Sequence, residues 1–459
     1  MSEHYDIAII GAGVVGCAVA RDLSRYALRV VLIEAKSDLG EGVSKGNSAV
    51  LSTGADTPFG TLESRLVVRG HERYLAEAPA MGLPCLLLGS LTVAWNEVEA
   101  AALESLHKET LAAGFLSGEM ISRDAIYRRV PHLAPGALAA MWEPNEGIVD
   151  PFSTPYAYAL DAVTNGVTFR SACPVVAAQR QDDHWRLDTP AGDISADMVV
   201  NCGGLGAARV DALAGYADFA MRPRRGQFIV FDKSARSLLD VVLKPVPSPT
   251  YRGILVTPTV FGNILVGPTS EEIDDLDDWR VTRGGLDSLI AAAKRLLPPL
   301  LEHEITATYC GIRPGTDRSE YRIIPRPTEG WVTVAGIRST GLSGSLGIAE
   351  HVTGIVLDAM SEAERKPSVT PIRVPSLAEG RPRPWENAST NAAGYREIVC
   401  HCEEITLGEV CDAMASPLRP RTLKALKRRT RVMFGRCQGF FCGARIQAIF
   451  DQMSAMAGR

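Results

Sequence analysis

Several features that would place this chain in a common functional class are scarce or absent. Aromatic residues make up 6% of its 459 positions, too few for the stacking surfaces that bind single-stranded nucleic acid. The net charge of −5 at pH 7 also argues against a nucleic-acid partner. Apolar runs are interrupted by proline or charge before they reach the ~18 residues of a membrane span. We therefore expect no nucleic-acid partner and no integral membrane segment.

We also expect no export signal, because the residues up to Asp6 are acidic and the apolar run that follows is short. Ten cysteines in such a chain are expected to be reduced thiols or metal ligands rather than disulfides. The sequence predicts a cytoplasmic protein, and a peripheral position on the inner face of the cell membrane is compatible with it. At ~150 residues per domain we expect roughly three domains.

The clearest motif is a glycine-rich turn between an apolar strand and a helix. Gly11-Ala-Gly-Val-Val-Gly16 follows a strand predicted at Tyr5–Ile10, and a second strand, predicted at Leu28–Ile33, ends at Glu34. Glycines at this spacing let the backbone and a helix N-terminus approach a pyrophosphate, while the acidic residue accepts hydrogen bonds from a ribose. The motif predicts a dinucleotide site and disfavours NADP, but it does not separate NAD from FAD.

Five of the ten cysteines follow position 399. Four of them form two close pairs, Cys400 with Cys402 and Cys437 with Cys442, which can hold an iron–sulfur cluster or a zinc ion. Unligated thiols are the remaining alternative. We expect the fifth, Cys411, to pack inside a helix. The basic residues of 419–436 would either compensate the charge of a cluster or form a solvated helix face.

Further motifs make the chain resemble a known superfamily. They are Lys45-Gly-Asn-Ser48, Val199-Val-Asn-Cys-Gly-Gly204, Arg224-Arg-Gly-Gln227, Gly253-Ile-Leu-Val-Thr-Pro258, Gly311-Ile-Arg-Pro314 and Gly336-Ile-Arg-Ser-Thr-Gly-Leu342. With the glycine-rich turn, they resemble the D-amino-acid-oxidase-like FAD enzymes, which include glycine oxidase, sarcosine oxidase and glycerol-3-phosphate dehydrogenase. The C-terminal region resembles the bacterioferritin-associated-ferredoxin type of [2Fe–2S] domain. The combination is similar to hydroxyproline-type dehydrogenase subunits and to the large subunit of the anaerobic-type glycerol-3-phosphate dehydrogenase.

The resemblance implies an α/β fold. A doubly wound FAD-binding domain of the glutathione-reductase type would carry an inserted, mostly antiparallel β substrate domain, and a small helical [2Fe–2S] domain would follow. We expect the FAD-binding domain in residues 1–58, 145–220 and 308–365, and the substrate domain in residues 59–144 and 221–307. A proline-rich linker at residues 366–393 would precede the cluster domain at residues 394–459.

The resemblance also implies cofactor contacts at individual positions. The residues expected at the FAD site are Gly11, Ala12, Gly13, Val15, Gly16, Glu34, Ala35, Lys45, Gly46, Asn47, Ser48, Val176, Gly203, Gly204, Gly311, Gly336, Arg338, Gly341 and Leu342. Val176 would lie near the adenine, and N–H groups between Gly336 and Leu342 would stabilise the reduced flavin. The metal ligands would be Cys400, Cys402, Cys437 and Cys442.

The expected catalytic candidates are Arg313, Ser48, Ser52 and Tyr251. Arg313 would pair with a carboxylate or phosphate of the substrate, for which a planar, bidentate donor is suited; an ion pair between domains is the alternative. His71 and His132 are candidates for a general base by residue type alone.

One loop departs from the anaerobic glycerol-3-phosphate dehydrogenase pattern. Where that pattern has two histidines and an arginine, this chain has Ser48, Ser52 and Asp56. An aspartate at this place would repel a phosphate, so the sequence argues against glycerol 3-phosphate itself.

The preferred hypothesis is an FAD-dependent dehydrogenase. Its substrate would be a hydroxy acid, a polyol or its phosphate, or an amino or imino acid, which loses a hydride to flavin N5. Because an iron–sulfur cluster moves single electrons, the acceptor would be a partner redox subunit or a quinone rather than oxygen. The alternatives are a scaffold or electron-transfer subunit without turnover, and an NAD-linked dehydrogenase with a zinc module.

Overall fold

The computed structural model describes residues 3–115, 117–248, 252–360, 363–386 and 394–457. The strands are β1 (Glu3–Ile10), β2 (Val30–Ile33), β3 (Val50–Leu51), β4 (Cys85–Leu86), β5 (Ser90–Ala94), β6 (Glu119–Ile121), β7 (Ala139–Glu143), β8 (Gly147–Val149), β9 (Thr168–Arg170), β10 (Ala177–Gln181), β11 (His184–Asp188), β12 (Ile194–Asn201), β13 (Arg224–Phe231), β14 (Val242–Pro245), β15 (Leu255–Pro258), β16 (Ile264–Gly267), β17 (Glu271–Glu272), β18 (Ile305–Arg313), β19 (Arg322–Arg326), β20 (Trp331–Ala335), β21 (Ile398–Cys400) and β22 (Ile405–Thr406). The α-helices are α1 (Val14–Leu23), α2 (Leu62–Met81), α3 (Glu97–Ala112), α4 (Arg123–Arg129), α5 (Ser153–Thr164), α6 (Ala207–Leu213), α7 (Arg283–Leu296), α8 (Gly341–Ala359), α9 (Leu407–Ala415), α10 (Leu423–Thr430) and α11 (Gly443–Ala457). Within these ranges, no helix has both the length and the apolarity needed to cross a bilayer.

The first of two large sheets has β1 in its interior. β1 pairs in parallel with β2 and β12, while β9 and β20 extend the parallel part. The antiparallel hairpin β10–β11 and strand β19 complete the sheet. Ile7 and Ala8, on opposite faces of β1, are both fully buried, as expected for a parallel strand that is covered on both faces. The carboxyl ends of β1, β2, β12 and β20 therefore lie at one edge of the sheet.

Helices α1, α5 and α8 pack together against this sheet, and α2 crosses α8. The crossing is close because both helices have glycines there. A Cβ on Gly70 would lie 2.2 Å from the carbonyl oxygen of Ser343, and one on Gly347 would lie 2.1 Å from that of Leu66. We expected the substrate domain to begin at position 59. Instead, the residues after this position form α2, which packs on the helices of the first sheet.

The second large sheet has the order β17-β13-β16-β15-β14-β5-β7-β6, and β18 pairs with β13. All its pairs are antiparallel except β5–β14. Helix α7 covers the sheet and buries Leu289 and Ala293 against strand residues such as Phe231 and Val266. Because β18 runs along β13 as far as Arg313, the boundary expected at 307/308 falls inside a strand of this sheet.

The C-terminal unit contains the hairpin β21–β22 and helices α9 to α11. Thr406 and Glu409 form the capping box of α9. The segment before it, as far as position 386, is extended and held against the body of the protein. Val374 N–H donates to the carbonyl of Met81 at 2.9 Å, and Leu377 is buried. This part of the expected linker is therefore not a free tether.

The expected fold class is confirmed, since a largely parallel sheet covered by helices accompanies an antiparallel sheet and a small helical unit. Two helix boundaries differ from expectation. The sequence predicts a helix at 346–360, whereas α8 already begins at Gly341. Its first turns are rich in glycine and serine, which are weak helix formers, and these small residues let α8 pack closely against α2. The helix expected over 281–300 ends at Leu296, and Pro298 begins a short 3₁₀ turn.

The close crossing of α2 and α8 predicts opposite effects for two glycines of one helix. Gly347→Ala should lower the free energy of unfolding by about 1–3 kcal/mol, because its Cβ overlaps the backbone of Leu66. Gly354→Ala meets nothing within 4 Å and should be neutral or stabilising by up to about 1 kcal/mol. Denaturant unfolding of both variants measures the difference. Equal midpoints for the two would contradict the close crossing.

Candidate functional site

The glycine-rich turn lies at the carboxyl edge of the first sheet, against the end of β12. Gly11 has a φ of +105°, and a Cβ on it would lie 2.5 Å from the carbonyl oxygen of Cys202. Gly203 adjoins this contact, and its N–H donates to Asn201 Oδ1 at 3.0 Å. The two strand ends can approach this closely only because the turn lacks side chains.

Helix α1 begins inside the turn, at Val14. Gly13 provides no side-chain cap, and the first turn holds no acidic residue. Val14 N–H donates to Ser44 Oγ at 2.9 Å. The positive end of the helix dipole therefore faces a space that suits an anion such as a pyrophosphate.

Glu34 follows β2 directly and turns its carboxylate toward the glycine-rich turn. Its two oxygens accept hydrogen bonds from the N–H groups of Ala12 and Lys36, each at 2.9 Å. Burial raises the pKa of Glu34, and the two N–H donors oppose that shift. Both oxygens keep further lone pairs that can accept from a ribose hydroxyl. Nearby, Ala35 and Val176 are exposed, the latter at 56%, and offer apolar surface.

The β2–β3 loop, residues 34–49, passes over the turn and then meets the second sheet. Gly40 N–H donates to the carbonyl of Ala12 at 2.9 Å. Further along, a Cβ on Gly311 of β18 would lie 1.8 Å from the carbonyl oxygen of Gly46. Tyr309 of the same strand donates from its hydroxyl to the carbonyl of Asn47 at 2.6 Å. The segment that includes Lys45 to Ser48 is therefore fixed between the two sheets.

The remaining predicted cofactor residues lie at the same edge. Gly336, with a φ of +70°, follows β20, and α8 begins at Gly341 without a side-chain cap. Arg338 donates to Glu63 of α2 at 3.1 Å. In the first turn of α8, Ser343 accepts at Oγ from Ser52 N–H at 2.9 Å. The structure thus brings the predicted positions to one cradle, although their individual contacts with a cofactor stay predictions.

A cluster of charged side chains lies where the loop from Ser52 meets the second sheet. Ser52 Oγ donates to Asp56 at 2.8 Å, and Arg252 contacts the same carboxylate at 3.2 Å. Lys244 pairs with the buried Glu146. Burial alone would raise the pKa of Asp56, but the cations of Arg252 and Lys244 lower it to about 2.

This cluster corrects the argument against a phosphate substrate. That argument treated Asp56 as an uncompensated charge, whereas the structure pairs it with Arg252. Arg252 is 196 residues away in the chain, so no local pattern in the sequence could indicate the pair. Two cations and two carboxylates balance here, and the repulsion that we expected is therefore absent.

The other catalytic candidates have different surroundings. The Arg313 guanidinium, at the end of β18, donates to the carbonyl of Thr269 at 3.2 and 3.3 Å. Tyr251 lies outside the described residues. His71 is buried with Nε2 3.0 Å from the carbonyl of Asn145, and His132 is exposed. Neither histidine contacts the charged cluster through a described hydrogen bond, so the structure supports neither as a base.

The four paired cysteines converge in the C-terminal unit, although their contacts differ from the pairs expected along the chain. Cys402 contacts Cys437, and Cys400 contacts Cys442, both at hydrogen-bonding range of their thiols. Among the described residues, no three of these sulfurs lie within 4.8 Å of one another. A single tetrahedral zinc ion needs four mutually close sulfurs, whereas two irons need two close pairs. The arrangement therefore fits a [2Fe–2S] cluster.

The polarity around these sulfurs differs from one to the next. Burial raises the pKa of Cys442 to about 12. The N–H groups of Phe441, Gly439 and Phe440 lower the pKa of Cys437, because they stabilise its thiolate. Hydrogen bonds from N–H groups to ligand sulfurs also tune the potential of a bound cluster. Cys411 lies on α9 and is half-buried, so its expected packing role stays a prediction.

Part of the basic stretch of residues 419–436 is exposed, as expected of a solvated face, but three of its arginines have neither expected role. Arg428, Arg429 and Arg431 are buried, not solvated. Arg428 and Arg429 pair with Asp38 of the β2–β3 loop, and Arg431 pairs with Glu403. Arg428 and Arg429 thus dock the C-terminal unit through contacts nearly 400 residues apart in the chain, whereas the Arg431–Glu403 pair lies within that unit.

Family comparisons agree with this geometry. The model of the family described as FAD dependent oxidoreductase matches residues 6–355, and that of the BFD-like [2Fe-2S] binding domain matches residues 398–452. A glycerol 3-phosphate dehydrogenase of Caloramator mitchellensis is 33% identical over 445 residues, 96% of this chain and 93% of its own. One subunit of the anaerobic glycerol-3-phosphate dehydrogenase of Escherichia coli (strain K12) is 27% identical over 99% of this chain and 89% of its own.

Solved structures show the same fold. The L-α-glycerophosphate oxidase of Mycoplasma pneumoniae, with FAD bound, superposes with a TM-score of 0.76 at 26% identity over 81% of this chain and 99% of its own. Glycine oxidase from Geobacillus kaustophilus superposes with a TM-score of 0.71 at 24% identity over 80% of this chain and 97% of its own. The expected superfamily and both expected cofactors are confirmed, and the NAD-linked alternative with a zinc module is wrong.

The cysteine pairs predict which substitutions remove the cluster. Cys402→Ser and Cys437→Ser should each abolish stable cluster binding, because each removes one of four ligand sulfurs. Cys411→Ser, in the same unit, should leave iron and acid-labile sulfide per chain unchanged. Chemical analysis of anaerobically purified protein measures both quantities. Cluster loss in the Cys411 variant, or full occupancy in either of the others, would contradict the assignment.

Proposed function

We propose that this chain, which belongs to the family of FAD-dependent oxidoreductases, is a dehydrogenase that oxidises a small polyol phosphate. The electrons leave through its [2Fe–2S] domain to a partner redox protein. The observation that carries the proposal is the docking of the cluster domain on the β2–β3 loop of the predicted FAD cradle, on Phe152 and on Asp232 after β13. A flavin next to a [2Fe–2S] cluster allows a two-electron oxidation to be followed by single-electron steps.

Two observations support a polyol phosphate. Three relatives carry glycerol 3-phosphate in their names, and two of them match nearly the whole chain. Arg313 lies two residues after Gly311, which contacts the β2–β3 loop at Gly46, and Arg252 and Lys244 bind the carboxylates of Asp56 and Glu146. Guanidinium groups attract phosphate and match its oxygens in geometry.

The chain's own residues have distinct roles in this proposal. Arg313 binds and orients the phosphate, and its backbone position is fixed because Gly311 contacts the β2–β3 loop. Asp56 stays ionised at neutral pH, since its pKa is about 2, and it orients the hydroxyl of Ser52. Glu146 holds the Lys244 ammonium in place. FAD, when bound, supplies the hydride acceptor, while the protein supplies orientation and charge.

A dehydrogenase is favoured over an oxidase because the cluster domain is packed onto the body rather than tethered. Phe434, three residues before Cys437, stacks on Phe152 with ring centroids 5.4 Å apart. Arg436 pairs with Asp232, which follows a strand of the second large sheet, at 2.5 Å. Next to the cluster ligands, Phe440 and Phe441 are 95% and 74% exposed, which is the kind of surface that a partner protein covers.

Anaerobic titration of the holoenzyme tests the reaction. Glycerol 3-phosphate should bleach the flavin absorption, whereas glycerol, glycine and proline at the same concentration should not. A one-electron acceptor dye should support turnover much faster than oxygen does. Bleaching by proline or glycine alone would overturn the substrate class, and faster turnover with oxygen would overturn the dehydrogenase. A flavin that no substrate reduces would favour the scaffold alternative.

Arg313 provides a residue-level test. Arg313→Ala should lower kcat/KM for glycerol 3-phosphate about 100-fold, because two charge-assisted hydrogen bonds to the phosphate are lost. FAD content should stay unchanged. Arg318→Ala, at an exposed position of the loop after β18, is the matched control and should retain normal kinetics. Unchanged kinetics in the Arg313 variant would remove it from the site.

A further inference from the structure

The cluster domain touches the cofactor cradle through two arginines at the end of α10. Arg428 Nη2 lies 2.8 Å from Asp38 Oδ2 and 3.2 Å from Glu41 Oε1, and Arg429 Nη2 lies 2.7 Å from Asp38 Oδ1. The side chains of Asp38, Arg428 and Arg429 are 5%, 8% and 4% exposed. The Arg429 guanidinium also lies over the ring of Tyr156, 4.4 Å from its centroid.

Asp38 and Glu41 belong to the β2–β3 loop, between the two places where this loop holds the glycine-rich turn. On one side of them Lys36 N–H binds the Glu34 carboxylate, which in turn accepts from Ala12. On the other side Ser44 accepts from the first N–H of α1. A shift of Asp38 would therefore move the residues that surround a bound pyrophosphate and ribose.

Charge gives a second reason for the contact. Asp38 and Glu41 bring two carboxylates to a loop that borders a pyrophosphate site, and like charges there would weaken binding of the cofactor. The two guanidinium groups neutralise them. A buried carboxylate left without partners costs much more than an exposed one, so the loop depends on the arginines.

We propose that Arg428 and Arg429 are positioning residues for FAD, and that docking of the cluster domain and binding of FAD are energetically coupled. The arginines stabilise the β2–β3 loop in the shape that receives the cofactor. By linkage, bound FAD strengthens docking by the same factor. The cluster domain thus stabilises the bound cofactor in addition to carrying electrons. The inference goes beyond the proposed activity and rests on FAD binding at the glycine-rich turn.

The other contacts of the cluster domain leave this loop untouched and provide the control. Arg436 pairs with Asp232, which follows β13. Arg431 lies over Phe261, 3.8 Å from its ring centroid, and pairs with Glu403. These contacts should keep the domain folded and near its place when the α10 arginines are replaced.

The test compares FAD dissociation constants of the full-length protein, measured by reconstituting the apoprotein. R428Q/R429Q should weaken FAD binding at least 10-fold while iron and sulfide per chain stay unchanged. R428K/R429K, which keeps the charges, should recover most of the affinity. Adding Asp38→Asn to R428Q/R429Q should also recover part of it, because the uncompensated carboxylate is gone. R436Q should bind FAD within 2-fold of the wild type.

The reciprocal effect has its own readout, hydrogen exchange of residues 423–430 with and without FAD. Exchange there should become faster when FAD is removed, and in R428Q/R429Q it should no longer respond to FAD. Unchanged FAD affinity in R428Q/R429Q would overturn the proposal, as would an equal loss in R436Q, since that would reflect a general loosening of the interface. A wild-type protein that binds no FAD would instead contradict the cofactor site itself.

Discussion

Backbone contact between Gly46 and Gly311 joins the two large sheets at the cofactor cradle. A Cβ on Gly311 would lie 1.8 Å from the carbonyl oxygen of Gly46. Strand β18 and the β2–β3 loop are therefore too close for any side chain at position 311. Arg313 follows two residues later on the same strand. The contact therefore fixes the distance between the loop that surrounds the cofactor and the guanidinium proposed to hold the substrate. A sheet built largely of antiparallel strands, far from the glycine-rich turn in sequence, becomes part of the same site through this contact.

The sequence predicted features whose residues lie close together in the chain, and it missed contacts between distant residues. The glycine-rich turn with Glu34 lies within one short segment of the chain, and so does the capping box of Thr406 and Glu409. In each of them the spacing of the residues alone indicates the geometry. The four C-terminal cysteines were also recognisable as candidate ligands. Their pairing was not, because Cys400 contacts Cys442 and Cys402 contacts Cys437 across the domain rather than along the chain. Sequence spacing groups neighbours in the chain, whereas the fold decides which sulfurs lie close together.

Charge was the feature that sequence reasoning interpreted least well. From the sequence we expected Asp56 to repel a phosphate, and we expected the basic stretch at residues 419–436 to compensate the charge of the cluster or to form a solvated helix face. In each case the missing information was a partner distant in the chain: Arg252 for Asp56, and Asp38 for Arg428. No periodicity or motif encodes such pairs. A net charge counted along a segment therefore says little about the charge that a ligand meets in the folded site.

Buried ion pairs at a domain interface cost desolvation, and apolar residues of similar volume often hold two surfaces together as well or better. The interface of the cluster domain uses both kinds of contact, since Phe152, Phe261 and Phe434 stack beside the pairs of Arg428, Arg429 and Arg431. What ion pairs add is orientation, because a guanidinium accepts only a narrow range of carboxylate positions, while stacked rings tolerate sliding. Electron transfer between two cofactors needs a fixed separation. A mixed interface meets that need, with the rings supplying contact area and the arginines selecting a single docked arrangement.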